Sequence, residues 1–483
     1  MTAIPVEASA SQAQALAAIR RADDGLRDRF ADRLAVNHDL DRSLVSFQAN
    51  KAEQRHRWCK YKEGFSAELV RYVLKKTGLA SSPILDPFAG SGTALFTARE
   101  AGLDAVGIEL LDSSAEIIEV RNAVAGADQR QLAGALAAFR DRRSWCQAGK
   151  QLPFPHLRIT AGAFPKETEQ RLGRYLWETG RVEDPVLSRV LRFAALCVLE
   201  PISYTRKDGQ YLRWDQRSGR GLGKKAFDKG RIETFDEAIA AKLSEIASDL
   251  DEKQRGCLRR LRDQPERAGR IELLRGSCLE ILPTLPANHF SGLITSPPYC
   301  NRYDYTRTYA LELAMLGVGE EAIRKLRQTM LSCTVENREK QGLDQHFDRR
   351  RYAAATRAVE SQGVLSLILK YLDGCRRDKT INHAGIPRMV RNYFAEMALV
   401  IFESARALKP GAPLVMVNDN VRYQGAHVPV DLILSDFAEQ AGFEVEAIWV
   451  LPRGKGNSSQ QMGLHGREEI RKCVYVWRKA NVR

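Results

Sequence analysis

The stretch that decides the fold is PILDPFAGSGTALFTARE at residues 83–100. An apolar strand, a glycine-rich turn and a helix in succession open many nucleotide-binding α/β units, because glycines let a ligand approach the backbone. No lysine follows Gly92, which excludes a phosphate-binding P-loop, and Leu95 replaces the third glycine of a dinucleotide fingerprint. A second strand at residues 105–108 is followed by Glu109, at the spacing where an acid binds a ribose diol.

A second motif, Thr-Ser-Pro-Pro-Tyr at residues 295–299, follows a short apolar strand at residues 292–294. Two consecutive prolines hold the chain extended and supply no N–H, so their carbonyl groups remain free to accept hydrogen bonds. A serine hydroxyl and a tyrosine ring flank this corner, which suits a planar amine such as the amino edge of a nucleobase. Taken alone, the segment is equally compatible with a rigid loop.

Together the two motifs resemble the S-adenosylmethionine-dependent DNA amino-methyltransferases, which modify cytosine N4 or adenine N6. Residues 86–93 match the cofactor motif of that family, and residues 295–299 match its catalytic motif. Residues 62–66 and 275–278 are similar to two further cofactor segments, although the family usually has an acid at the position of Ser277. The resemblance implies an α/β fold with a Rossmann-like, seven-stranded class I methyltransferase sheet and helical insertions.

The resemblance also implies roles for individual residues. The catalytic residues are expected to be Ser296, Pro297, Pro298 and Tyr299. The residues expected to bind S-adenosylmethionine are Lys62, Phe65, Ser66, Asp86, Phe88, Gly90, Gly92, Thr93, Glu109, Leu110, Ser277 and Thr295. Methylation of cytosine carbon-5 needs a cysteine after a proline, and Cys300 follows Tyr299 instead, so we interpret Cys300 as a bystander.

Composition indicates a soluble protein with a polyanionic partner. The chain has 483 residues, 44% of them hydrophobic, and a formal net charge of +14; this charge suits double-stranded DNA. It has no apolar stretch of membrane length and no basic-then-apolar leader, which predicts a cytoplasmic protein without membrane contact. Nine cysteines without a C-x-x-C pair predict reduced thiols and no metal site.

The order of the motifs predicts a methyltransferase domain interrupted by two inserts, with a candidate target-recognition region in the first. The expected units are an N-terminal helical arm (1–55), the cofactor half (56–125), a helical and basic insert (126–270), the catalytic segment (271–300), a helical insert near the active site (301–390) and the C-terminal half of the sheet (391–483). Both motifs are expected at carboxyl ends of adjacent strands, where such sheets bind ligands.

Three segments combine cations, aromatic rings or amides in the way that DNA contact requires. They are a glycine-rich loop at residues 204–231, the polar run after Tyr299 and the long loop at residues 452–471. The candidate DNA-binding residues are Arg206, Arg213, Arg217, Arg220, Lys224, Lys225, Arg302, Tyr303, Arg453, Gln460, Gln461 and Arg467. The alternative for each segment is a solvated basic loop without a ligand.

The predicted function is site-specific methylation of cytosine N4 in duplex DNA, with the base flipped out of the helix. The choice of cytosine rests on Ser296, because within the family a serine before Pro-Pro-Tyr is associated mostly with cytosine. Methylation of adenine N6 is the alternative; an RNA amino-methyltransferase and an inactive nucleic-acid-binding protein are further ones. A cognate restriction endonuclease that acts separately is a possible partner. The sequence determines neither the recognition site nor the oligomeric state.

Overall fold

The computed structural model describes residues 10–208, 212–220, 226–251, 268–452, 455–456 and 469–481. Its strands are β1 (Leu34–Val36), β2 (Ile84–Asp86), β3 (Ala105–Glu109), β4 (Thr205–Lys207), β5 (Leu212–Trp214), β6 (Ile271–Arg275), β7 (Gly292–Thr295), β8 (Pro413–Asp419), β9 (Val421–Tyr423), β10 (Ala426–Val428), β11 (Phe443–Val450), β12 (Lys455–Gly456), β13 (Glu469–Ile470) and β14 (Lys472–Lys479). The α-helices of these residues are α1 (Ala10–Arg29), α2 (Ala67–Thr77), α3 (Thr93–Glu100), α4 (Asp112–Gly126), α5 (Gln129–Arg142), α6 (Lys166–Thr179), α7 (Pro185–Ile202), α8 (Phe235–Leu250), α9 (Cys278–Ile281), α10 (Tyr305–Thr308), α11 (Ala310–Met315), α12 (Glu320–Thr329), α13 (Arg349–Ser361), α14 (Gly363–Arg377), α15 (Ile386–Ala407) and α16 (Val430–Gln440).

Eight strands form one sheet in the order β1-β11-β14-β8-β7-β2-β3-β6. The five strands from β8 to β6 are parallel, whereas β14 is antiparallel to both of its neighbours. Strands β2, β7 and β8 are almost entirely buried, as expected for a parallel sheet covered by helices on both faces. This architecture confirms the predicted α/β class, with the seven expected strands and one more.

The additional strand comes from the N-terminal arm, which was predicted to be helical. Helix α1 ends at Arg29, and β1 then pairs in parallel with residues 448–450 at the sheet edge. The amide of Ile448 donates to the carbonyl of Arg33 at 2.7 Å, so the arm covers backbone groups that an edge strand would leave unpaired. Three residues are too few to show the alternating pattern of a strand in the sequence.

The second insert packs into the core instead of standing apart from it. Helix α15, which begins at the end of this insert, is buried on nearly all sides. It lies within one hydrophobic cluster that also contains residues of α13, α14 and α16. Helices α5 to α8 of the first insert form a second cluster with α4 and α11. Helices α2 and α3 contribute to a third, which includes residues of the central strands.

The segment predicted as a flexible basic loop contains a short antiparallel hairpin, β4–β5. Alternate side chains of β4 face opposite sides, as in any strand: Thr205 and Lys207 are buried, and Arg206 is exposed. The side chain of Lys207 forms an ion pair with Glu312 at 2.5 Å. The hairpin is thus anchored to helix α11, which follows the catalytic segment in the chain.

Candidate active site at the carboxyl edge of the sheet

A cavity lies where strands β2, β3 and β7 end, and residues of both sequence motifs line it. Strands β2 and β7 are parallel neighbours, with Leu85 beside Leu293, so the two turns leave the sheet side by side. The hydroxyl of Thr295 donates to the carboxylate of Asp86 at 2.6 Å and joins the turns directly. Segments some 200 residues apart in the chain therefore form one site.

The glycine-rich turn is closely packed. Gly90 and Gly92 have φ angles of +53° and +76°, which side chains other than glycine rarely adopt. A Cβ atom at Gly90 would lie 3.0 Å from the ring of Tyr61, and one at Gly92 would lie 2.8 Å from the side chain of Ile118. The turn needs glycine for its conformation and for the space on its outer side.

Two carboxylates, the buried Asp86 and the half-buried Glu109, hold this turn in place. Asp86 accepts hydrogen bonds from Thr295 and from the amide of Phe88 at 3.1 Å. The two oxygens of Glu109 accept from the amides of Gly90 and Leu111, each at 2.7 Å. Burial raises the pKa of Asp86 and that of Glu109 to about 7, although hydrogen bonds to both carboxylates oppose the shift.

A third carboxylate, Glu63, was missed by the sequence analysis although it lies within the segment 62–66. It lines the cavity and accepts hydrogen bonds from the hydroxyls of Tyr303 and Tyr309. Burial raises the pKa of Glu63, against the effect of these two hydrogen bonds. The ring of Tyr61 stacks on that of Tyr309 with centroids 5.3 Å apart.

The lining of the cavity is acidic and apolar. Glu63, Asp86 and Glu109 line it together with apolar side chains such as Phe65 and Leu110. Among the described residues, neither lysine nor arginine lines it. Carboxylates accept hydrogen bonds and attract positive charge, so the cavity suits a ligand with a cationic group and hydroxyls, and it does not suit one that carries phosphates.

The turn at residues 295–299 presents the hydroxyl oxygen of Ser296 to the cavity. The hydroxyl oxygen of Ser296 lies 3.1 Å from the carbonyl oxygen of Val417 and 3.3 Å from the hydroxyl of Tyr299. Since a carbonyl can only accept, the carbonyl of Val417 takes the serine proton. The hydroxyl of Tyr299 can donate to the same serine oxygen, which leaves a lone pair for an incoming N–H group. Burial raises the pKa of Tyr299. Cys300 is buried, burial raises the pKa of its thiol, and it does not line the cavity.

Ten of the predicted cofactor-binding and catalytic residues line the cavity: Phe65, Asp86, Phe88, Gly90, Thr93, Glu109, Leu110, Ser277, Ser296 and Pro298. Six do not: Lys62, Ser66, Gly92, Thr295, Pro297 and Tyr299. Lys62 donates to the carbonyl of Lys207 at 2.5 Å, and Ser66 caps helix α2 by accepting from Leu69. Both side chains thus have local structural partners.

Several lining residues had no predicted role. Besides Glu63 they are Tyr61, Gly64, Pro87, Ala89, Ser91, Ile108, Leu111, Gly276, Cys278, Tyr305, Met330 and Leu331. Tyr305 belongs to the aromatic run after the catalytic motif, which the sequence analysis expected at the pocket mouth. Met330 and Leu331 follow helix α12 in the second insert, and no pattern in the sequence indicated that they reach the site.

The predicted DNA-binding arginines of the first insert divide into two pairs. Arg206 and Arg213 are exposed, lie directly opposite each other in the hairpin and approach the ring of Phe227 to 5.7 and 4.1 Å. Arg213 also lies 3.6 Å from a carboxylate oxygen of Asp208.

The other pair is occupied by protein groups. Arg217 forms two hydrogen bonds with the carboxylate of Asp215, at 2.7 and 2.8 Å, and these lower the pKa of that carboxyl. Arg220 lies 3.9 Å from the ring centroid of Trp214 and donates to the carbonyls of Arg158 and Ile159.

Of the other predicted DNA-binding residues, two lie next to the catalytic motif in sequence and six are not described by the structure. Arg302 is half-buried with a φ of +67°, and the hydroxyl of Tyr303 is bonded to Glu63. Lys224, Lys225, Arg453, Gln460, Gln461 and Arg467 lie outside the described residues.

Comparison with known proteins identifies the family. The family described as "DNA methylase" matches residues 11–120. The chain is 50% identical to the type II methyltransferase M.AvaI of Nostoc sp., over 95% of this chain and 94% of that protein. It is 42% identical to the type II methyltransferase M.BsoBI of Geobacillus stearothermophilus, over 91% and 88% of the two chains. No solved structure matches it.

The chain belongs to the type II DNA methyltransferases. This confirms the predicted family, the amino-methyltransferases of restriction-modification systems. Across the described parts of this methyltransferase, no helix is both long and apolar enough to cross a membrane. The same residues contain no group of three or more His, Cys, Asp or Glu side chains that could hold a metal ion.

Proposed function

We propose that this type II methyltransferase transfers the methyl group of S-adenosylmethionine to the exocyclic N4 of a cytosine flipped out of duplex DNA. The observation that carries the proposal is that Ser296 lines the acidic cavity at the edge of the sheet where both motifs meet. The cavity suits the cofactor, which combines a sulfonium, an ammonium and a ribose diol and lacks phosphates. The serine before Pro-Pro-Tyr favours cytosine over adenine, as in the resembling family.

The proposed cofactor contacts follow from the lining of the cavity. Glu109 would accept hydrogen bonds from the ribose hydroxyls with the lone pairs that the amides of Gly90 and Leu111 leave free. Asp86, Phe88 and the glycine turn would surround the methionine end, and Leu110 would pack near the adenine. Glu63 adds a further carboxylate for the cationic part.

The remaining predicted cofactor residues would act in two ways. Phe65, Thr93 and Ser277 line the cavity. Lys62, Ser66, Gly92 and Thr295 lie behind it and would support its walls.

The chain's own groups would prepare the amine for reaction. The oxygen of Ser296 and the carbonyl of Pro297 would accept hydrogen bonds from the two N–H groups of the amine, drawing the nitrogen towards sp³ geometry and freeing its lone pair. The new N–C bond would replace the S–C bond of the methyl donor, and the methylated nitrogen would then lose one proton. Tyr299 would stack on the base, and Pro298 would form the wall between the base and the cofactor cavity. When bound, S-adenosylmethionine would supply the electrophilic methyl group that this lone pair attacks. Positioning then provides most of the acceleration, and no strong base is required beforehand.

Contacts with DNA would come first from the exposed pair Arg206 and Arg213. Like charges that face each other across a hairpin are unfavourable, and a phosphate between them would remove the repulsion. Lys207 anchors the same strand to Glu312, which would hold the two arginines beside the active site.

The test is to methylate unmodified bacterial genomic DNA with the purified protein and to resolve the digested nucleosides by mass. N4-methylcytosine is the expected product, and a Ser296→Ala variant should yield little of it. A clean N6-methyladenine signal would replace cytosine by adenine as the target. Transfer of labelled methyl groups to structured RNA alone, or to no nucleic acid while DNA binding persists, would overturn the proposed reaction.

A further inference from the structure

An ion pair stands at the end of the sheet beside the catalytic tyrosine. Asp419 ends strand β8 and Lys472 begins strand β14, and the two residues are register partners. Their charged atoms lie 3.6 Å apart, and the ammonium of Lys472 lies 6.0 Å from the ring centroid of Tyr299. The side chains are only 15% and 17% exposed. Neither residue lines the cofactor cavity.

The pair retains hydrogen-bonding capacity that the described protein groups do not use. At 3.6 Å the contact is an ion pair and not a hydrogen bond, and one oxygen of Asp419 is buried without a hydrogen-bond partner among the described residues. Burying charged groups with incomplete hydrogen bonding costs free energy. Because such a pair costs stability, we infer that it is retained to bind a ligand at the adjacent active site.

The path of strand β8 relates the pair to the target amine. Ser296 is bonded to the carbonyl of Val417, and Asp419 lies two residues further along the same strand. A base that stacks on Tyr299 with its amine at Ser296 would therefore present its neighbouring edge towards Asp419 and Lys472. This placement rests on the proposed function, which assigns the amine to Ser296.

We propose that Lys472 donates a hydrogen bond to O2 of the flipped cytosine and that Asp419 holds the ammonium in place. Lys472 is then a specificity-determining residue, and Asp419 is a positioning residue that acts through it. Cytosine has an acceptor at O2, whereas adenine has a C–H group at the corresponding position. The ammonium of Lys472 therefore has a hydrogen-bond acceptor when cytosine is bound and lacks this acceptor when adenine is bound.

The charge balance of the pair agrees with the reaction. The amine nitrogen gains positive charge as it attacks, and an isolated ammonium nearby would oppose this. Asp419 neutralises Lys472, so the pair can bind the base edge without that penalty. Asp419→Asn should therefore lower kcat more than it raises KM, a split that loss of DNA affinity alone would not produce, with kcat calculated from the folded fraction that binds S-adenosylhomocysteine.

The test combines a variant with a base analogue in the recognition site that methylation mapping defines. The analogue is a 2-aminopyridine C-nucleoside, which keeps the amine and the ring nitrogen but has a C–H group in place of the O2 carbonyl. Lys472→Met should lower kcat/KM on cytosine roughly 10- to 100-fold, the range for a hydrogen bond to a charged group. Replacing cytosine by the analogue should lower kcat/KM of the wild type by a similar factor. The same replacement should leave kcat/KM of Lys472→Met unchanged. Affinity for S-adenosylhomocysteine should not change.

Several outcomes would overturn the inference. If the analogue lowers kcat/KM of Lys472→Met by the same factor as that of the wild type, the two changes act independently and Lys472 does not contact O2. Wild-type kcat/KM in Lys472→Met leads to the same conclusion. If the variant does not fold, the wild type decides: unchanged kcat/KM on the analogue refutes the contact. An N6-methyladenine product refutes both the proposed function and this contact, whereas N4-methylcytosine with independent effects of the two changes refutes the contact alone.

Discussion

The turn at residues 86–93 and the hairpin of β4 and β5 both present polar groups near the active site, but they differ in how those groups are held. At the turn, the carboxylates of Asp86 and Glu109 are fixed by backbone amides and by Thr295. In the hairpin, Arg206 and Arg213 are exposed side chains on a short two-stranded ribbon. The first arrangement is preorganised for one small ligand, and the second can adjust to a flexible polyanion. The difference predicts large effects of substitution at the turn and graded, salt-dependent effects at the hairpin.

The largest effect is expected at the catalytic turn beside the cavity. Ser296→Ala should lower kcat by about 10²- to 10³-fold, the range observed when one preorganised hydrogen-bonding group is removed from a catalytic site. Methyl transfer at saturating DNA measures it. Cys300→Ala is the matched control, because the thiol does not line the cavity; its kcat should stay near wild type. Equal losses in the two variants would contradict the role of Ser296.

Loss of a carboxylate from the cavity should come next. Glu109→Ala should weaken binding of S-adenosylmethionine by on the order of 1.5–3 kcal/mol, as expected for hydrogen bonds to a charged group. The substitution also frees the amides of Gly90 and Leu111, which loosens the turn. Calorimetry measures the affinity, with Thr284→Ala as a folded control that does not line the cavity. Unchanged affinity in a folded Glu109→Ala variant would refute the assignment.

The buried carboxylates also predict a pH dependence. With a pKa of about 7, Asp86 and Glu109 are partly protonated near neutrality. Affinity for the cationic cofactor should fall by about tenfold from pH 8 to pH 6 for each group that must ionise. Calorimetry across this range measures the slope, which should be shallower in Glu109→Ala than in the wild type.

In the protein without cofactor, the raised pKa values of Asp86 and Glu109 make the free energy of unfolding fall with rising pH, whereas cofactor affinity rises. Because folding raises both pKa values, these groups contribute stability that is fully present below pH 4 and is lost as pH rises through about 7. Other groups also titrate, so the comparison is between wild type and Glu109→Gln. The variant should lose less stability over this pH range in denaturant titrations.

The smallest individual effects are expected at the hairpin. Arg206→Ala and Arg213→Ala should each weaken DNA binding for all sequences and reduce the slope of log K against log salt by about one unit per lost phosphate contact. Arg217→Ala and Arg220→Ala are matched controls from the same region, because their side chains bind protein groups. An equal change in the slope of log K against log salt in all four variants would show that the two pairs of arginines do not differ in DNA contact.

The sequence predicted the parts of this protein that depend on local backbone chemistry. Strand β2 with its glycine turn, strand β3 ending at Glu109 and strand β7 leading to Ser296 were all located from apolar runs and from glycine and proline. The class of fold and the family followed from them. Glycine and proline restrict φ and the available hydrogen bonds wherever they occur, so their meaning can be read without knowledge of distant residues.

What the sequence left open depends on contacts between distant segments. Arg206 and Arg217 are equivalent in a sequence and both are exposed, yet Arg206 approaches the ring of Phe227, whereas Arg217 is bonded to Asp215. Glu63 becomes part of the cavity because two tyrosines from the second insert donate to it. Strand β1 forms because a sheet edge is available to a three-residue segment with no strand pattern of its own.

The pairing of Asp419 with Lys472 arises in the same way, from the antiparallel register of β8 and β14. Burial and ion pairing are properties of the folded arrangement and not of the individual residue, since they depend on which side chains the chain brings within a few ångströms. Local chemistry in the sequence therefore determined the fold and the position of the two motifs, and the tertiary structure decided which charged groups meet at the site.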